Sequence, residues 1–310
     1  MRSNVWVASA AFAVASLGTM NVAVGQDWAK ANLAKSPRHG EYVTLDEPGG
    51  RKVQAWVVYP EVKDKAPVVV MIHEIFGLSD WAREMADELA GAGYIVVEPD
   101  MLSGLGPNVA ASAMPQGGTA QQAAGVDHAH MQMPGGSNGA AFVPAQPGGT
   151  TAFPDQGSIT KAVSSLPDAQ VLGDLDAAAD YGKKLPAANG KVFVGGFCWG
   201  GGKTFLFATH RKDLSGAFVF YGPPPATDLM KNINAPVYGF YAGNDARITS
   251  TVAQTEADMK AAGKTYEPVT YDGAGHGFMR AGEAPDANAA NTAARQAGFR
   301  RLVSLLGGVR

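Results

Sequence analysis

The sequence predicts an α/β protein: a mostly parallel, doubly wound sheet with helices on both faces and an antiparallel edge at its N-terminal end. Three observations predict it. Residues 67–72 are a continuous apolar, β-branched run, the pattern of a strand buried on both faces of a parallel sheet. Similar short runs then alternate with stretches of helical spacing along the rest of the chain. Before them, two strand-like segments flank Glu47-Pro48-Gly49-Gly50, which reads as the turn of a hairpin.

Taken in order, residues 1–25 have the layout of a secretory signal peptide. Arg2 is the charged start, residues 5–17 form the apolar stretch, and Ala23-Val24-Gly25 supplies the small residues before a cleavage site preceding Gln26. The apolar stretch is short for a membrane span. A periplasmic or secreted protein, soluble after cleavage, is the expectation. Residues 26–310 then form a single domain. Strands are expected at 41–45 and 53–59, followed by the buried strand at 67–72. A helix over 81–92 stops at Gly93, and a strand over 94–97 ends at Pro99-Asp100. Further strands are expected at 192–195, 217–221, 237–241 and 268–271, with helices at 174–184, 252–262 and 290–306. The segment from about 104 to 157 is rich in Gly, Ala, Gln, Pro and Met, nearly uncharged and without period. It reads as a low-complexity insertion loosely packed over the surface.

With 310 residues, 46% of them hydrophobic, the chain has material for one large core. The net charge of −3 gives no electrostatic preference for nucleic acid or a membrane surface. One cysteine cannot close an internal disulfide, so an exported chain of this kind relies on its core for stability.

That cysteine, Cys198, lies in Gly196-Phe197-Cys198-Trp199-Gly200-Gly201, between a strand-like run and a helix-like one. Strand, Gly-x-nucleophile-x-Gly turn and helix make the context of a nucleophile elbow. Asp245 and His276 follow it, each just past a strand, in the chain order nucleophile, acid, histidine. In that arrangement His276 moves the proton and Asp245 holds the imidazole in the useful tautomer. An oxyanion hole needs two backbone N–H groups, here assigned to Trp199, after the nucleophile, and Ile75, after the strand ending at Ile72. His73-Glu74 opens like a zinc-binding helix motif, but position 77 is Gly where the second His would stand, so no metal site is assigned there. Gly135-Gly136-Ser137-Asn138-Gly139 matches a serine elbow by letter only, with no strand before it and no helix after.

These pieces resemble the dienelactone hydrolase family of the α/β-hydrolase superfamily. The resemblance rests on His73-Glu74-Ile75-Phe76-Gly77, the Cys198 hexapeptide, Asn244-Asp245 and Gly273-Ala274-Gly275-His276-Gly277-Phe278. It implies an α/β-hydrolase fold and a thiol-dependent hydrolase of small esters or lactones that works through a thioester without a cofactor. It also implies that Glu74 helps deprotonate the thiol when substrate arrives, and that Arg280 binds a substrate carboxylate. A second family arginine, shortly after the Pro-Asp that ends an earlier strand, has no counterpart after Pro99-Asp100. Arg83 is a candidate replacement. Trp81, Tyr221 and Trp199 are candidate pocket aromatics. An alternative reading makes the chain a binding protein on a hydrolase scaffold. Its basis is His128, His130, Met131 and Met133, whose imidazole and thioether groups suit copper.

Overall fold

The structure is a computed structural model that describes residues 26–107 and 148–308. The proposed signal peptide, the serine-elbow look-alike and the His/Met cluster at 128–133 lie outside the described residues. Eight strands form one sheet in the order β1-β2-β4-β3-β5-β6-β7-β8. They are β1 (Gly40–Asp46), β2 (Lys52–Val58), β3 (Ala66–Ile72), β4 (Ile95–Pro99), β5 (Ala188–Phe197), β6 (Gly216–Phe220), β7 (Val237–Ala242) and β8 (Tyr266–Tyr271). β2 runs antiparallel to both β1 and β4, and β4, β3, β5, β6, β7 and β8 pair in parallel. This is the doubly wound sheet with an antiparallel edge that the sequence predicts.

Alternation along the strands sorts side chains into two cores. Val68, Val70, Ile72, Val192 and Val194 face one side. They pack under helices α3 (Gln156–Ser164), α4 (Asp168–Lys184), α5 (Trp199–His210) and α8 (Val252–Ala261). Val69, Met71, Phe193, Phe197, Phe218, Phe220 and Phe240 face the other. There they meet α1 (Asp27–Leu33), α2 (Asp80–Gly91), α9 (Phe278–Ala281) and α10 (Ala289–Gly308). Phe197, Phe220 and Phe240 stack across three strands, with ring centroids 4.8 and 4.1 Å apart. Each such ring contributes about 2–3 kcal/mol of burial, so this row of aromatics fixes how β5, β6 and β7 lie against one another. Two short helices, α6 (Thr227–Met230) and α7 (Ala246–Thr249), and a single 3-10 turn at Thr150–Ala152 complete the described fold. Among the described residues no helix is long and apolar enough to cross a membrane.

Among the described residues, five helices were not expected. α6, α7 and α9 have only four residues each and α1 seven, too few to show a helical period, and α3 begins inside the compositionally biased segment. Its start is set locally, by the Asp155 carboxylate accepting the Ser158 N–H at 2.8 Å. α4 begins at Asp168, six residues before the expected 174, directly after Pro167. The described flanks of the expected insertion are packed, not loose. The Asp100 carboxylate accepts both the N–H and the hydroxyl of Thr150, at 2.7 and 2.8 Å, and Leu78 N–H donates to the Thr150 hydroxyl at 3.0 Å. Ser103 is buried and donates to Asp100 O at 2.6 Å. Polar side chains, which composition alone marks as loop-like, do this fastening.

Strand order and register position the site. The chain leaves β3 for β4 on one side and returns to β5 on the other, so a crevice opens between the C-terminal ends of β3 and β5. Ile72 lies beside Gly196, and Phe197 beside Phe220. Glu74, Cys198 and Tyr221 therefore come just past the ends of three adjacent strands.

Candidate active site

Cys198 occupies a tight turn between β5 and α5 with φ of 56°, a left-handed conformation unusual for a residue with a side chain. Its N–H donates to Phe220 O at 3.0 Å and its carbonyl accepts from Gly202 N–H at 3.2 Å, so the turn is held from both sides. The flanking glycines are required by space. A Cβ at Gly196 would stand 2.5 Å from Gly200 O, and one at Gly200 would collide with the carbonyls of Ile72 and His73. The strain at Cys198 thus has a structural origin in the strand–helix packing.

The half-buried thiol receives hydrogen bonds from the backbone N–H groups of Trp199 and Ile75, the pair the sequence marks as the oxyanion hole. Burial, and next the Glu74 carboxylate, push its pKa above the ordinary thiol value; the two N–H groups and the positive charge of Arg247 pull the other way. Glu74 is 3% exposed. Burial raises its pKa, opposed first by Arg280, whose Nε–H donates to Oε2 at 2.6 Å. The Tyr221 hydroxyl stands 3.5 Å from the other carboxylate oxygen, at the outer limit of a hydrogen bond. Burial and the neighbouring Glu74 and Cys198 hold the Tyr221 pKa well above its usual value, so this hydroxyl keeps its proton. The Arg280 guanidinium also lies 4.9 Å from the Phe76 ring centroid, a cation–π contact that holds it at the crevice.

Asp245, 7% exposed, accepts from His276 Nδ1 at 2.5 Å. The loop carrying His276 is pinned by Asn244, whose side chain donates to Gly273 O at 3.0 Å, and by Asn291, which accepts the Gly275 N–H at 2.8 Å. The His276 ring packs edge-on to Tyr221 at 5.1 Å, and its protonated form lowers the Glu74 pKa. Glu74, Ile75, Cys198, Trp199, Tyr221, Asp245, His276 and Arg280 are thus linked by direct contacts or by their mutual fields.

Trp81 is placed elsewhere. It is 0% exposed, packs edge-on to Phe197 at 5.1 Å and donates its indole N–H to Glu283 at 2.8 Å. It faces the sheet because α2 buries that side, and it offers no surface to a ligand. Arg83 pairs with Asp80 and lies over the rings of Tyr42 and Trp56, on the β1–β2 flank. It does not replace the missing family arginine. Sequence reasoning missed Arg247, an exposed residue of α7 two positions after Asp245 whose charge reaches the thiol. Its position beside the acid was the available signal. Tyr221, expected to line the pocket, is 0% exposed and offers no more surface to a ligand than Trp81; it is instead a buried neighbour of Glu74.

The sequence model of the dienelactone hydrolase family matches residues 53–309. The chain is 28% identical over 241 residues to a candidate carboxymethylenebutenolidase of Salmonella typhi, covering 74% of each chain. It is 26% identical over 242 residues to the carboxymethylenebutenolidase of Pseudomonas putida, covering 77% of this chain and 86% of that one. Among solved structures, a candidate dienelactone hydrolase of Klebsiella pneumoniae aligns with a TM-score of 0.65 at 24% identity, over 87% of this chain and 98% of that one. At that identity the structural likeness speaks to the fold. The family match, spanning nearly all of the described fold, establishes that this chain belongs to the dienelactone hydrolase family and is a carboxylic ester hydrolase.

Proposed function

We propose that the protein is an exported, thiol-dependent hydrolase of small esters or lactones that carry a carboxylate. One observation carries this reading: a buried glutamate, Glu74, acts on the thiol of Cys198 while its charge is held by Arg280. A thiol whose pKa is raised stays protonated and unreactive at neutral pH. An anionic substrate competes with Glu74 for Arg280, since a guanidinium binds a carboxylate with paired hydrogen bonds. Released from its partner and still buried, Glu74 becomes a stronger base and takes the thiol proton. The thiolate attacks the carbonyl carbon, and the oxygen takes up charge facing the N–H groups of Trp199 and Ile75. The C–O bond breaks, the leaving oxygen takes the proton from Glu74, and a thioester remains. His276, oriented by Asp245, then takes a proton from water; the hydroxide attacks the thioester, and the departing sulfur receives that proton back. The names of the Salmonella and Pseudomonas relatives, which denote action on a carboxylated butenolide, favour this substrate class.

The test separates the two half-reactions. In a His276→Ala variant acylation proceeds and deacylation stalls, so a lactone adds its whole mass to Cys198, whereas an open-chain ester adds only its acyl part. Intact-protein mass spectrometry with peptide mapping reads the adduct. An adduct on any residue but Cys198, or none under conditions where the wild type turns over, overturns the reading. Export rests on the N-terminal pattern of Arg2, the apolar stretch and Ala23-Val24-Gly25. The protein recovered from the periplasm or medium then begins at Gln26; full-length chain confined to the cytoplasm contradicts it.

A further inference from the structure

We infer that His73 is a positioning residue of the oxyanion hole: its imidazole orients the Glu74–Ile75 peptide and seats the Trp199 side chain. The inference rests on the proposed use of the Ile75 and Trp199 N–H groups. His73 has no solvent exposure. Its Nδ1 lies 2.7 Å from Glu74 O, and its Nε2 accepts the Met101 N–H at 3.4 Å. A nitrogen that accepts carries no proton, so the neutral ring bears its hydrogen on Nδ1 and donates it to Glu74 O. Burial favours this neutral form, lowering the pKa of the ring.

The consequence follows from peptide geometry. Glu74 O and Ile75 N–H belong to one planar trans unit and point in opposite directions. Fixing the oxygen on His73 therefore fixes the N–H that faces the thiol sulfur. A carbonyl that accepts a hydrogen bond also polarises the N–H of its own peptide into a better donor. The same imidazole stacks on the Trp199 indole, with centroids 5.7 Å apart and planes 14° from parallel. Trp199 supplies the second N–H. One buried ring thus touches the residues of both donors, and on its far side it grips the backbone where β4 leads into residues 101–105. The histidine that suggests a metal ligand in the sequence is used as a brace.

Asn and Gln separate its two contacts. The Asn amide nitrogen can occupy the place of Nδ1 and still donate to Glu74 O. The Gln amide reaches toward the place of Nε2 and Met101, and leaves Glu74 O unpaired. We expect His73→Gln to lower kcat about 10- to 100-fold, the scale of a displaced oxyanion donor, with KM nearly unchanged. His73→Asn should recover most of that rate. A trifluoromethyl ketone, whose adduct with the thiol carries an oxyanion, should bind the Gln variant more weakly by a similar factor, while the product acid binds as before. Equal losses in both variants, equal rates in both, or a parallel loss of product-acid affinity would overturn the inference. Failure of the wild type to form a thiol adduct with the ketone would instead count against the parent reading of Cys198.

Discussion

Replacing Cys198 by Ala removes ester and lactone turnover by roughly 10⁴- to 10⁶-fold, the loss seen when a covalent nucleophile is deleted and the rest of the site is kept. The fold should survive. Ala keeps a Cβ and accepts the same left-handed backbone that Cys198 already adopts at φ 56°. The thiol is only half-buried, so its removal leaves a small void costing about 1 kcal/mol. The turn itself is held by backbone bonds to Phe220 O and from Gly202 N–H, which the substitution does not touch. Turnover of a lactone panel, read beside the far-UV spectrum and thermal midpoint, makes the comparison. Wild-type turnover in a cleanly purified alanine variant would falsify the nucleophile assignment. A residual rate insensitive to thiol-blocking reagents is the outcome to expect, since the oxyanion donors and Arg280 are still in place.

The parts of this molecule that local patterns dictate were legible in its sequence. The buried run of β3 and the apolar segments of β5, β6 and β7 announce parallel strands because they carry no polar face. The elbow was legible because its glycines answer a short-range steric demand. Asp245 and His276 were legible because a strand must end before each. What escaped depends on contacts between distant segments. Thr150 and Asp100 are 50 residues apart, and their clamp cannot be read from a stretch whose composition resembles a loose insertion. The role of His73 requires knowing that Met101 N–H lies behind its ring. Trp81 is different, since its placement could have been read: Trp81, Met85 and Leu89 recur every four residues and so share the buried face of α2. What the sequence could not supply is the partner of the indole N–H, Glu283, which stands 202 residues away.

Substituting Glu74 by Gln should move two rates in opposite directions. In the resting protein the Glu74 carboxylate, after burial itself, is the main influence raising the Cys198 pKa. Gln removes that negative charge and leaves the Arg280 guanidinium without its anionic partner, so both changes favour the thiolate. The sign follows: the pH profile for alkylation of Cys198 by a neutral reagent such as iodoacetamide shifts to lower pH, and labelling at a fixed pH near neutrality becomes faster. Hydrolysis of an anionic lactone falls, by about 10²- to 10⁴-fold, because the variant has no carboxylate to accept the thiol proton as substrate binds. The amide is nearly isosteric and its oxygen can still accept from Arg280, so folding is not the explanation for the loss. Slower labelling together with slower hydrolysis would mean that Glu74 supports the thiolate even at rest, and the substrate-triggered mechanism would then be wrong. Faster labelling with slower hydrolysis is what a guarded nucleophile requires. In the proposed mechanism the thiol is kept as the unreactive acid until a substrate carboxylate displaces Glu74 from Arg280.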